Sequence, residues 1–81
     1  MEDRTTEQLA QDYSAMGDSI SLITAVIAGD SMADESAEDR QDCVDRNVAH
    51  LEIMKAKDDW GSESFTATDA AISAGKGYTA S

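Results

Sequence analysis

Proline is absent, cysteine and histidine occur once each, and the aromatic residues are one tryptophan, two tyrosines and one phenylalanine. Without proline, nothing of that kind interrupts a helix. A single cysteine, Cys43, excludes an internal disulfide, and with no apolar leader at the N-terminus it points to a reducing, cytoplasmic setting. A single histidine leaves little choice for a Ser-His-carboxylate set and none for a histidine-rich metal site. No apolar run approaches the length of a membrane span, and no 20 to 50 residue repeat is present. Basic residues are scarce. Six of them face seventeen acids, for a formal charge of −11, and that field repels nucleic acid and anionic lipid.

What remains is enough for a folded core. The apolar content, 41%, is too high and too periodic for a disordered acidic chain. With 81 residues the chain reads as one domain, residues 1–81, whose limited burial makes a partner subunit useful. Leu9, Tyr13, Met16, Ile20, Ile23 and Ile27 recur at alternating steps of four and three, a heptad-like stripe on one helix face. After a polar lead ending at Arg4, the Thr-x-x-Gln spacing of Thr5 and Gln8 forms a capping box, so helix 1 is expected over about 6–28, with Gly29 as its left-handed end. Leu22 and Val26 lie off the stripe and give the second half of this helix another apolar face. Gly17, inside the helix, costs about 1 kcal/mol relative to alanine and marks either a close helix approach, the favoured reading, or a weak point.

Helix 2 is expected over about 34–57, capped by Ser31 or Ser36. Ala37, Val44, Val48 and Leu51 share one face, with Cys43, Asn47 and Met54 beside it. Acids at its start and Lys55 and Lys57 at its end follow the order that the helix dipole favours. The short connection predicts an antiparallel hairpin with helix 1. Ile53 then points away from the seam. Asp58 to Ser62 reads as a turn around Trp60, and Ser62 or Ser64 caps a third helix over about 63–74. Gly75 and Gly77 end that helix and leave 75–81 as a loose tail. The expected fold is all-α: two long helices in an antiparallel hairpin, a short third helix across it, and self-association into a helical bundle.

No residue set specifies a chemistry, so the protein is not expected to be an enzyme, and no cofactor or metal is expected. His50 lies on the flank of helix 2, and Asn47 stands where a di-iron Glu-x-x-His motif needs Glu. A structural or surface role suits His50. Cys43 would need an activating cation or base to act as a nucleophile, and Asp42 and Asp45 are its neighbours, so a small packing role is expected. Ala74 to Thr79 lacks the first glycine of a phosphate loop and has Gly77 where Ser or Thr would hold magnesium. Asp58 and Asp59 lack the alternating ligands of a calcium loop. Asp34, Glu38, Asp42 and Asp45 follow helical spacing along one flank, read first as a solvated face and alternatively as a mimic of nucleic-acid phosphates.

Trp60 and Phe65 are expected to close the core over the end of the hairpin. Trp60 and Tyr78 also suit the anchors of a protein interface, and Leu22, Val26 and Ile53 are more apolar surface than one seam uses. These five residues are the candidate protein interface. The run Cys43, Val44, Asp45, Arg46, Asn47, Val48, Ala49, His50, Leu51, Glu52, Ile53, Met54, followed by Asp59, Trp60 and Ala70 to Lys76, resembles small acidic proteins encoded by marine tailed phages, especially those of cyanobacteria. The resemblance covers the second half of the chain. It implies a viral origin and a helical fold, with no activity and no site residues. The function expected from these readings is a non-enzymatic protein-binding or assembly module, an accessory phage protein of the host cytoplasm or the virion. Its partner would be a second copy or another protein, with no nucleic acid bound directly and no membrane. The alternative is an acidic inhibitor that occupies the nucleic-acid groove of a basic host protein.

Overall fold

The computed structural model describes residues 4–61 and 63–81. It contains α1 (Thr6–Ala28), α2 (Ala37–Lys55) and α3 (Thr66–Lys76), and no strand among the described residues. The fold is all-α, with each helix packed on the other two. Thr5 starts α1 as a reciprocal cap: its hydroxyl accepts from the Gln8 backbone N–H (3.1 Å) while the Gln8 side chain accepts from the Thr5 N–H (2.9 Å). Gly29 ends the helix at φ 83°, and the N–H groups of Asp30 and Ser31 both donate to the Ala25 carbonyl. The connection that follows turns at Met32, which holds φ 58°. α2 starts at Ala37, later than position 34, because Ser36 is its cap and accepts from the Asp39 N–H (3.1 Å). Asp34 therefore lies in the connection and not on the helix flank.

α1 and α2 run antiparallel. Ser19 in the middle of α1 meets His50, and Arg4 ahead of α1 meets Asp59 beyond the end of α2. α3 returns along the groove between them, from the Asp69 ion pair with Lys55 to Tyr78 beside Gln41. The core is Met16, Ile23 and Val26 from α1, Val44, Val48 and Leu51 from α2, Trp60 from the connection, and Ala71 from α3. Leu9, Tyr13 and Ile20 of the stripe are half-buried against it, whereas Ile27 is 38% exposed. α1 has two neighbours, which explains the departure. Tyr13, Gly17 and Ile20 face the start of α3, but Ser19 faces α2. Val26, two turns beyond Ser19 on the same side, is drawn inward in place of Ile27.

The third helix departs most from expectation. It starts at Thr66, with Phe65 in the cap position making no side-chain bond to it. Ser64 sits one residue too early, its hydroxyl 3.4 Å from the Thr66 nitrogen; Ser62, the other expected cap, lies outside the described residues. At its far end α3 continues through Gly75 to Lys76. Gly75 is buried, and a Cβ there would overlap Val48 Cγ2 and touch Val44 and Ile23. It is a point of close approach and not a helix stop. Gly17 is the reverse, exposed with nothing within 4 Å of where its Cβ would be. The segment after α3 is held and not loose. Gln41 donates to the Tyr78 carbonyl (3.1 Å) and accepts from the Ala80 N–H (2.8 Å), and Arg40 donates to the Ser81 carbonyl (2.7 Å). Among the described residues no helix is long and apolar enough to cross a membrane.

Candidate functional site

The five residues proposed as an interface separate into buried and outward groups. Val26 is 2% exposed and Trp60 6%, both covered by the chain's own helices, so their apolar character serves this core and neither is on offer at the surface. Leu22 and Tyr78 are half-buried and pack against the core from its edge, with the Tyr78 hydroxyl accepting a long bond from Arg40 (3.4 Å). Ile53 alone points out, at 64% exposure. Ala49, four before it on α2, and Ala56, three after it and capping the helix end, are exposed alanines that share its face. The result is a small apolar island near the end of a helix whose solvent side otherwise carries Glu38, Asp42, Asp45 and Arg46. Among the described residues the one other exposed large apolar side chain is Ile27, at 38%.

Trp60 sits at the centre of a group that joins the start of the chain, α1 and the α2–α3 connection. Its ring meets Tyr13 and Phe65 edge-on, with centroids at 6.0 and 5.8 Å, and its indole N–H donates to the Met54 carbonyl (2.7 Å). The guanidinium of Arg4 lies 4.2 Å over the ring. That same guanidinium donates through Nε and Nη2 to Asp59 and through Nη1 to Asp12 (2.7 Å), and the Arg4 backbone N–H also reaches Asp59 (3.1 Å). The side-chain bonds from Arg4 hold the Asp59 carboxyl well below the usual carboxylate range, and the two carboxylates raise the Arg4 guanidinium above its ordinary value. Sequence reading passed over this cluster as a polar lead and a turn. Its partners lie 55 residues apart, and no local period signals such a pair.

The remaining chemical candidates are occupied by packing. His50 Nδ1 and the buried Ser19 hydroxyl are hydrogen-bonded at 2.8 Å, which ties the histidine into the α1–α2 seam and leaves Ser19 6% exposed. Cys43 is half-buried beside Asn47, whose side-chain amide donates to the Cys43 carbonyl (2.8 Å). Among the described residues no three of His, Cys, Asp and Glu converge on a point that could hold a metal ion. On the acidic flank, Asp42 is paired with Arg46 (2.9 Å) and Asp45 accepts from Gln41 (3.0 Å). An apolar crevice of about 270 Å³, lined by Tyr13, Met16, Gly17, Ile20, Ala67 and Thr68, opens between α1 and the start of α3. Compared with models of known protein families, with curated proteins and with solved structures, the chain matches none.

Proposed function

We propose that the protein is a non-enzymatic protein-binding or assembly module that docks through the outer face of α2 around Ile53. The observation that carries this reading is the 64% exposure of an isoleucine between two exposed alanines, on a helix whose core face is already filled by Val44, Val48 and Leu51. Burying an isoleucine is worth about 1.5–3 kcal/mol, so a partner that covers it gains measurably. The partner is a second copy of the chain or another protein, neutral or basic in view of the charge of −11. The resemblance of the second half to marine phage proteins supports an accessory viral role in the host cytoplasm or the virion. The alternative, an acidic mimic that competes with nucleic acid, draws on the exposed Glu38, Asp42 and Asp45. It has less to stand on, because Asp34 lies off the helix and Asp42 shares its charge with Arg46.

The test is solution mass by light scattering across protein concentration and salt, for the parent protein and for Ile53→Asp. Self-association that weakens in the variant, with helical content unchanged, supports the assembly reading. A parent monomer that captures a partner through Ile53 supports the binding reading, and capture that is insensitive to Ile53 but falls steeply with salt favours the mimic. A monomer that captures nothing overturns all three.

A further inference from the structure

The connection between α2 and α3 is held by side chains and not by its own backbone. After Lys57, whose N–H donates to the Met54 carbonyl, the next backbone bond among the described residues is from Asp69 to the Phe65 carbonyl. Among the described residues between 57 and 65, no backbone N–H or carbonyl pairs with another backbone group. Segments of this kind open at lower free energy than a helical core. Among the described residues three side-chain tethers close it: the Trp60 indole on the Met54 carbonyl, the Tyr13 hydroxyl on the Ser64 carbonyl (2.6 Å), and Arg4 on Asp59. The first fastens the connection to the end of α2, and the second to the body of α1. The third fastens it to a segment ahead of α1. Arg4 is the richest of the three, because one guanidinium grips Asp59 through two nitrogens, anchors itself on Asp12 and covers the Trp60 ring.

We propose that Arg4 is a latch: it closes the 56–65 connection over the Tyr13, Trp60 and Phe65 cluster, and this end of the bundle opens as a unit while the core around Val44, Val48 and Leu51 stays folded. The distinction from a general stabilising contact lies in what lies under the latch. Trp60 and Phe65 belong to the connection and leave with it, whereas Met16, Ile23, Val44, Val48 and Leu51 remain enclosed by the three helices. Opening turns a 6% exposed tryptophan into an accessible apolar surface without dissolving the fold. Trp60 then becomes available to a partner only in the open state. The inference is independent of whether the Ile53 face binds anything.

Hydrogen exchange separates this device from plain stabilisation, because the Trp60 indole N–H is itself one of the closing bonds. Its exchange rate, followed by NMR in the full chain, reports the open population, and the amides of Val48 and Leu51 report global unfolding. In the parent chain the indole is expected to exchange faster than the Val48 and Leu51 amides and with a smaller dependence on low urea concentrations, because opening this end exposes less surface than global unfolding. In Arg4→Met, which keeps much of the apolar stem and removes the charge, indole exchange is expected to rise roughly tenfold. Asp59→Asn removes the other side of the latch, tests it without altering the residue over the ring, and should give the same pattern. Indole exchange in the parent at the same free energy and with the same urea dependence as the Val48 and Leu51 amides would show that the connection opens only with the whole fold. Unchanged indole exchange in both variants would show that the other two tethers suffice, and either result overturns the proposal.

Discussion

Two glycines in the same fold have opposite roles, and the space around each decides which. Gly75 faces Val44, Val48 and Ile23, and a methyl group there would overlap Val48 Cγ2. Gly17 faces open space in the interior of α1. Gly75→Ala is therefore expected to destabilise by about 1–3 kcal/mol, the usual cost of forcing extra volume into a packed seam. Gly17→Ala should stabilise by up to about 1 kcal/mol, since alanine restricts the unfolded chain and meets nothing in the folded one. Urea denaturation of both variants checks the pair; the same sign of change in each would contradict this reading. Asp59 supplies a second test, in pH. Its carboxyl titrates below the ordinary range in the folded chain because Arg4 bonds to the charged form. The folded state thus holds its charge where the unfolded state has taken up a proton. The resulting stability is fully present above about pH 4 and is lost as pH falls through the depressed folded value. Asp59→Asn should lower stability at pH 7 and flatten the acid limb of a stability–pH curve relative to the parent.

Helix starts divide by whether the cap is local, and this sets what could be read in advance. Thr5 and Gln8 cap α1 from within three residues of each other, and Ser36 caps α2 from the position ahead of it, so sequence alone shows α1 and narrows α2 to two choices. Ser36→Ala is expected to cost about 1 kcal/mol and to fray the first turn of α2, measured by thermal unfolding and by exchange at the Asp39 amide. A loss well below the range of helix caps would mean that the turn at Met32 positions this end unaided. The core faces of α1 and α2 were legible for the same reason, since a helix face is a local period. α3 was not. Phe65 occupies its cap position without capping it, and the helix runs on through Gly75, because the fit against Val48 outweighs the usual tendency of glycine to end a helix. The Arg4 cluster and the clamp of Gln41 on Tyr78 and Ala80 join residues far apart in sequence. Such pairings have no period, so they appear only once the helices are placed. Of the expected interface, the outward position of Ile53 followed from helical phase, but the burial of Trp60 and Val26 depended on where α3 and the connection came to rest.

Charge acts on the molecule as a whole. The chain carries −11 on a body of 43 × 20 × 19 Å. At about 10 mM salt the screening length is about 30 Å, so most of its charges feel one another; at 150 mM it is about 8 Å, and only close neighbours do. Two effects then compete. Screening weakens the ion pairs Arg4–Asp59, Arg4–Asp12, Arg46–Asp42, Lys55–Asp69 and Lys76–Glu52, and it relieves the repulsion among the acids that have no cation nearby. The pairs at Arg46, Lys55 and Lys76 are largely exposed and are each worth at most about 1 kcal/mol, while close-range pairs such as those of Arg4 lose little at these salt levels. Repulsion is the larger quantity, because seventeen acids face only six bases and compaction brings all of them closer. Stability should therefore rise with salt. Between 10 and 150 mM sodium chloride, Tm is expected to increase by about 4–8 °C for each kcal/mol of repulsion relieved in a chain of this size. A falling Tm would mean that the exposed ion pairs at Arg46, Lys55 and Lys76 outweigh the repulsion among the acids.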